Sequence, residues 1–128
     1  MPRTLSEEAE ELLTSEPLVG HLATCHDGNP HVAPLWYNVH QHVIEITTTG
    51  QKLENLRSNP RVALSVQKAV DGDPEWGVTV QGTATVLDDE ATAAARRRVN
   101  RRYGVREGAW SENVGVRIDV GSDTVTWQ

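Results

Sequence analysis

Between Glu75 and Leu87 the chain reads EWGVTVQGTATVL, and no other stretch restricts the possible folds so tightly. Trp76, Val78, Val80, Gly82, Ala84 and Val86 fall on one side of an extended segment, and Thr79, Gln81, Thr83 and Thr85 on the other. Successive side chains of a strand point to opposite faces, so this pattern specifies a β-strand with one apolar and one polar face. The same alternation puts Val62, Leu64 and Val66 of RVALSV on one face. LVGHLATC, HVAPLWYNV, HVIEITT, VGVRIDV and TVTWQ read as further strands. They are separated by turn chemistry such as DGNP and by a polar bend at His40–His42.

Three helices are expected beside these strands. Thr4 and Glu7 have the spacing of a capping box, with Leu5, Ala9, Leu12 and Leu13 on one helical face and Pro17 as the stop. A helix of barely two turns begins near Lys52 and ends at Asn59–Pro60. DDEATAAARRRVNRRYG forms the third, with Asp88 as N-cap, Gly104 as stop, acids in its first turn and arginines in its last. Helices and strands do not alternate regularly, so a doubly wound parallel sheet is disfavoured. The pattern implies a mainly β fold, an antiparallel barrel with helices packed outside. The 128 residues contain no linker or repeat and are expected to form one domain, residues 1–128. Pro34 cannot donate to a ladder, so its strand lies at an edge or carries a bulge there.

Charge and cysteine content narrow the function classes. A net charge of −6 disfavours polyanionic partners, nucleic acid or an anionic membrane. Arg96, Arg97, Arg98, Arg101, Arg102 and Arg106 surround most of a helix rather than forming a stripe, which suits ion pairs within the chain. No apolar run approaches the roughly 18 residues of a membrane span. The acidic N-terminus is unlike a signal peptide. The single cysteine, Cys25, excludes an intrachain disulfide and fits a reducing, cytoplasmic setting. His26, His31, His40 and His42 lack metal-motif spacing, and no hydrolytic constellation is apparent.

The remaining candidate is TTTGQKLENL. Strand-end threonines offer hydroxyls, and Gly50 permits close approach of a ligand. Unsatisfied N–H groups at the start of the helix near Lys52 form an electropositive cradle for an anion. An ordinary strand, turn and helix with an exposed lysine would read the same way, so the residues alone leave both interpretations open.

The order of motifs, LATCHDGNPHVAPLWYNV, then EITTTGQKLENLRSNPRVALSV, then VTVQGTATVLDD, resembles the pyridoxamine 5′-phosphate oxidase-like family of FMN-binding split barrels. The most specific part is K-x-x-N-L-R-x-N-P-R-V-A-L, Lys52 to Leu64. The resemblance implies a six- or seven-stranded split barrel and a flavin. It assigns the phosphate to Thr47, Thr48, Thr49 and Lys52, with Gln51 standing where many members have arginine. It lays the ring along Val32, Ala33, Pro34, Leu35 and Trp36. It also implies a homodimer with sites at the interface, where Trp76, Trp110 or Trp127 would reach the partner's flavin. The missing arginine makes a deazaflavin coenzyme the alternative to FMN. The short C-terminus argues against a true pyridoxamine phosphate oxidase. An oxidoreductase acting on a small molecule is therefore expected, with a non-catalytic flavin carrier or sensor as the alternative.

Overall fold

The computed structural model describes residues 3–128. The long alternating segment is strand β6 (Asp73–Val86), in which Trp76, Val78, Val80 and Ala84 are buried while Thr79, Gln81, Thr83 and Thr85 face solvent. It is flanked by β5 (Arg61–Val70) and β7 (Val114–Trp127). β7 was expected as two strands. It is one strand that absorbs Gly121–Ser122 through a register irregularity opposite Gln81–Gly82. The irregularity brings the two backbones close: a Cβ on Gly82 would lie 2.2 Å from the Asp119 carbonyl oxygen.

The other strands are β1 (Gly20–His26), β2 (Asn29–Leu35), β3 (Tyr37–His40) and β4 (Val43–Thr48). The seven strands form one antiparallel sheet in the order β2-β1-β5-β6-β7-β4-β3. β2 and β3 are consecutive in the chain, separated by Trp36 alone, yet they occupy opposite edges of that sheet. The sheet must therefore curl until its edges meet at Trp36, which gives a split barrel flanked by three helices. HVAPLWYNV was expected as one strand, and Trp36 divides it into two. Pro34 sits on the edge strand β2 in unbroken register with His21, so of the two expected placements, edge or bulge, it is the edge that accommodates the proline.

Helix α1 (Glu7–Thr14) is capped by Ser6, not Thr4: the Ser6 hydroxyl accepts from the Ala9 N–H at 3.2 Å. Leu5 precedes the helix and is fixed by its N–H donating to the His42 carbonyl at 2.9 Å. The helix ends before Pro17 is reached, and the Thr14 and Ser15 hydroxyls donate to the Glu10 and Leu12 carbonyls in its last turn. Leu5, Ala9 and Leu13 join Leu22, Tyr37, Ile44, Ile46, Leu64 and Val78 in the core. Helix α2 (Gly50–Ser58) inserts Leu53 and Leu56 into the same core. Helix α3 (Asp89–Arg102) starts at Asp88, whose carboxylate accepts from the Ala91 N–H at 2.8 Å, and stops before Gly104 at φ +72°.

Four of the five arginines of α3, Arg96, Arg98, Arg101 and Arg102, are hydrogen-bonded within the chain. Arg98 makes a bidentate pair with Glu45 of β4, at 2.7 and 2.8 Å, and Arg101 pairs with Glu107 at 2.7 Å. Arg102 donates to the Leu13 and Glu16 carbonyls, closing the C-terminal end of α1. The Tyr37 hydroxyl donates to the same Leu13 oxygen at 2.7 Å. Among the described residues no helix is long and apolar enough to cross a membrane.

Candidate functional site

At the point where the sheet edges meet, a cavity of about 310 Å³ opens between three chain segments. The first is the β2–β3 crossing, contributing Pro34, Leu35 and Trp36. The second is the end of β4 and the start of α2, contributing Thr47, Thr48, Thr49 and Lys52. The third precedes β7 and contributes Trp110 and Asn113. Seven of the ten residues singled out in the sequence thus converge, from two segments that are not neighbours in the chain. Val32 and Ala33 do not line this cavity: Val32 points off the edge strand into solvent. Gln51 is also turned away, because its amide donates to Asn55 Oδ1 at 2.7 Å while Asn55 donates to Thr24 Oγ1 at 3.1 Å. The Asn55–Thr24 bond ties α2 to β1.

The threonine end is electropositive by construction. Thr49 is the residue before α2, and its side chain makes no capping bond. The first turn of α2 contains no acidic residue, so its free N–H groups and the positive end of its dipole face outward uncompensated. Gly50 takes φ +68°, a conformation that favours glycine, and this bends β4 into the helix. Lys52 is half-buried and makes no ion pair among the described residues. Thr48 is 2% exposed, and its hydroxyl is buried without a hydrogen-bond partner. A buried unpartnered hydroxyl carries a desolvation cost of about 1–3 kcal/mol, and a bound acceptor would remove that cost.

The opposite end is aromatic. Trp36 stacks on Tyr103, with centroids 4.6 Å apart and planes at 4°, and meets Trp110 edge-on at 6.2 Å and 88°. The Tyr103 hydroxyl in turn donates to the Leu18 carbonyl, so the stack is anchored to the chain leading into β1. Trp110 and Asn113 carry no sequence motif and were missed as cavity residues of this protomer. Among the tryptophans considered for an interface, Trp76 is buried in the core, and Trp127 lies at the end of β7 with its indole N–H toward Glu8. Asn113 Nδ2 donates to Thr47 Oγ1 at 3.4 Å and so connects the two ends of the cavity.

The histidines form no comparable site. His26 Nδ1 lies 2.9 Å from Ser58 Oγ and its Nε2 lies 3.3 Å from Asp27. This serine–histidine–aspartate contact is solvated and sits at the negative end of α2, where an oxyanion would be disfavoured. Among the described residues no three His, Cys, Asp or Glu side chains converge as a metal site.

The profile of the pyridoxamine 5′-phosphate oxidase family matches residues 5–120. The chain belongs to that family. Among solved structures, a conserved hypothetical protein from Mycobacterium tuberculosis is 30% identical with a TM-score of 0.81, covering 100% of this chain and 89% of the other. An FAD-binding protein from Mesorhizobium loti is 29% identical with a TM-score of 0.76, covering 98% and 95%. A protein described as an F420 reductase is 30% identical with a TM-score of 0.74, covering 89% and 94%. No curated protein matches the chain. The cavity thus offers an anion the Thr48 hydroxyl, the N–H groups of α2 and the Lys52 ammonium at one end, and a flat ring the Trp36–Trp110 corner at the other.

Proposed function

We propose that this cavity binds a flavin-type coenzyme, FMN or a deazaflavin, and that the protein is an oxidoreductase acting on a small molecule. The observation that carries this reading is the buried, partnerless Thr48 hydroxyl beside Lys52 at the uncapped start of α2. An acceptor supplied by a ligand at this position would satisfy the hydroxyl and meet the uncompensated helix start at the same time. The FAD-binding and F420 reductase relatives support the same class of coenzyme. In this reading Thr47, Thr48, Thr49 and Lys52 hold the phosphate, while the backbone of Pro34–Trp36 supports the ring. A bound coenzyme of this class supplies the redox chemistry through its ring, and the chain contributes orientation and exclusion of water. A second copy of the chain completes the site across a two-fold axis, as the family resemblance implies.

Lys52 is the one titratable side chain among the described residues lining the cavity. That suits direct transfer between ring and substrate, and it suits a non-catalytic carrier or sensor equally well. Turnover of reduced nicotinamide or reduced deazaflavin across a panel of acceptors separates the two. The site itself is tested by titrating wild type and Lys52→Ala with FMN and with the deazaflavin. Loss of a charge-assisted contact should cost about 1.5–3 kcal/mol, roughly 10- to 150-fold in Kd. Equal affinities for both proteins would remove Lys52 from the site. An absorption spectrum of the purified protein, with mass spectrometry of what denaturation releases, identifies the coenzyme.

A further inference from the structure

Trp110 is an anomaly. It is 57% exposed, and its φ of +57° lies in the left-handed region that a bulky residue adopts only under constraint. The constraint comes from α3. Asn100, 1% exposed, donates its amide to the Glu107 and Ala109 carbonyls at 3.2 and 2.8 Å. Arg96 donates from one guanidinium nitrogen to the Ser111 and Asn113 carbonyls at 3.0 and 2.9 Å. The residues immediately before and after Trp110 are therefore both pinned to one helix.

A loop with no task could relax by letting Trp110 swing into solvent. Instead its ring is held perpendicular to Trp36 at 88°. One face of Trp36 is already covered by Tyr103. Two rings at a right angle form a corner into which a third flat ring fits, with its face on one and its edge on the other. We propose that Trp110 selects ligands by their flat conjugated ring, and that Arg96 is the positioning residue that holds it there without touching the ligand. The inference rests on the flavin reading of the same cavity, and divides the labour within it: Lys52 serves the anion, and Arg96 acts through Trp110 on the ring.

The test compares FMN with riboflavin, the same ring without its phosphate, by titration of wild type, Arg96→Ala, Arg96→Lys, Trp110→Ala and Lys52→Ala. Arg96→Ala and Trp110→Ala should weaken both ligands by the same factor, tenfold or more, leaving the FMN-to-riboflavin ratio unchanged. Lys52→Ala should instead collapse that ratio. Arg96→Lys keeps a donor for the two carbonyls and should restore much of the affinity. In the ligand-free protein, circular dichroism should show an exciton couplet from the perpendicular indoles that Arg96→Ala weakens and Trp110→Ala abolishes. Trp110 is exposed, so its truncation keeps the comparison decisive if Arg96→Ala does not fold. FMN binding that is unchanged in both variants, or an altered FMN-to-riboflavin ratio in Arg96→Ala, overturns this inference alone. A wild type that binds neither flavin nor deazaflavin overturns the flavin reading and this inference with it.

Discussion

Replacing Arg98 by methionine should be among the most damaging single changes on α3, because of what it leaves behind. Glu45 is 3% exposed on β4, and its carboxylate accepts from Arg98 Nε at 2.7 Å, Arg98 Nη2 at 2.8 Å and Asn38 Nδ2 at 2.8 Å. Methionine fills the aliphatic part of the arginine but supplies no donor, so a buried carboxylate keeps the Asn38 bond alone. Breaking a buried ion pair from one side costs about 3–5 kcal/mol. The Arg98 side chain is 32% exposed, so water can partly replace it, and we take the lower end, about 3 kcal/mol. A domain of this size is stable by about 5–15 kcal/mol. With a urea m-value of about 2 kcal/mol per M, the midpoint should fall by roughly 1.5 M with m unchanged. The double variant Glu45→Met/Arg98→Met removes the stranded charge as well and should recover much of the loss. A midpoint shift below about 0.3 M for Arg98→Met, or losses that simply add in the double variant, would refute the reasoning.

Three further outcomes follow from the same structure. Burial pushes the Tyr37 hydroxyl up to about 12, partly offset by nearby Arg102, while the unfolded value is 10.0. The native state therefore keeps its proton where the unfolded state has lost it. Stability from this residue should be intact below pH 10 and decline between pH 10 and 12 by up to about 3 kcal/mol, and denaturation of Tyr37→Phe over that range should lack this decline. Thr48→Val removes a buried unpartnered hydroxyl, so thermal stability of the ligand-free protein should hold or rise by up to about 1 kcal/mol. FMN affinity measured on the same sample should fall by about fivefold or more; a fall in both would mean the hydroxyl is satisfied within the protein. Gly82→Ala forces a Cβ against the Asp119 carbonyl at 2.2 Å and should lower Tm by several degrees, a cost of about 1–3 kcal/mol.

Local periodicity determined a good deal of this protein. The alternation in β5 and β6, the Asp88 cap, the turn at Asp27–Gly28 and the glycine stop at Gly104 are all short-range effects, decided by side-chain direction and backbone freedom within a few residues. The convergence of Thr47, Thr48, Thr49 and Lys52 with Pro34, Leu35 and Trp36 was legible only through the motif spacing carried by the resemblance. Local patterns failed where competing caps or long-range pairing intervened. Ser6 displaced Thr4 as cap because its own hydroxyl reached Ala9. HVAPLWYNV became two strands because Trp36 is where a curling sheet brings its two edges together. Trp36, at the aromatic end, was legible in the same way, but no local pattern placed Trp110 in this protomer's cavity, since Arg96 and Asn100 hold it through hydrogen bonds to backbone carbonyls that every residue possesses. A strand's alternation is written in its own side chains. A loop held through its carbonyls is written in the helix that holds it, and only the folded chain brings the two together.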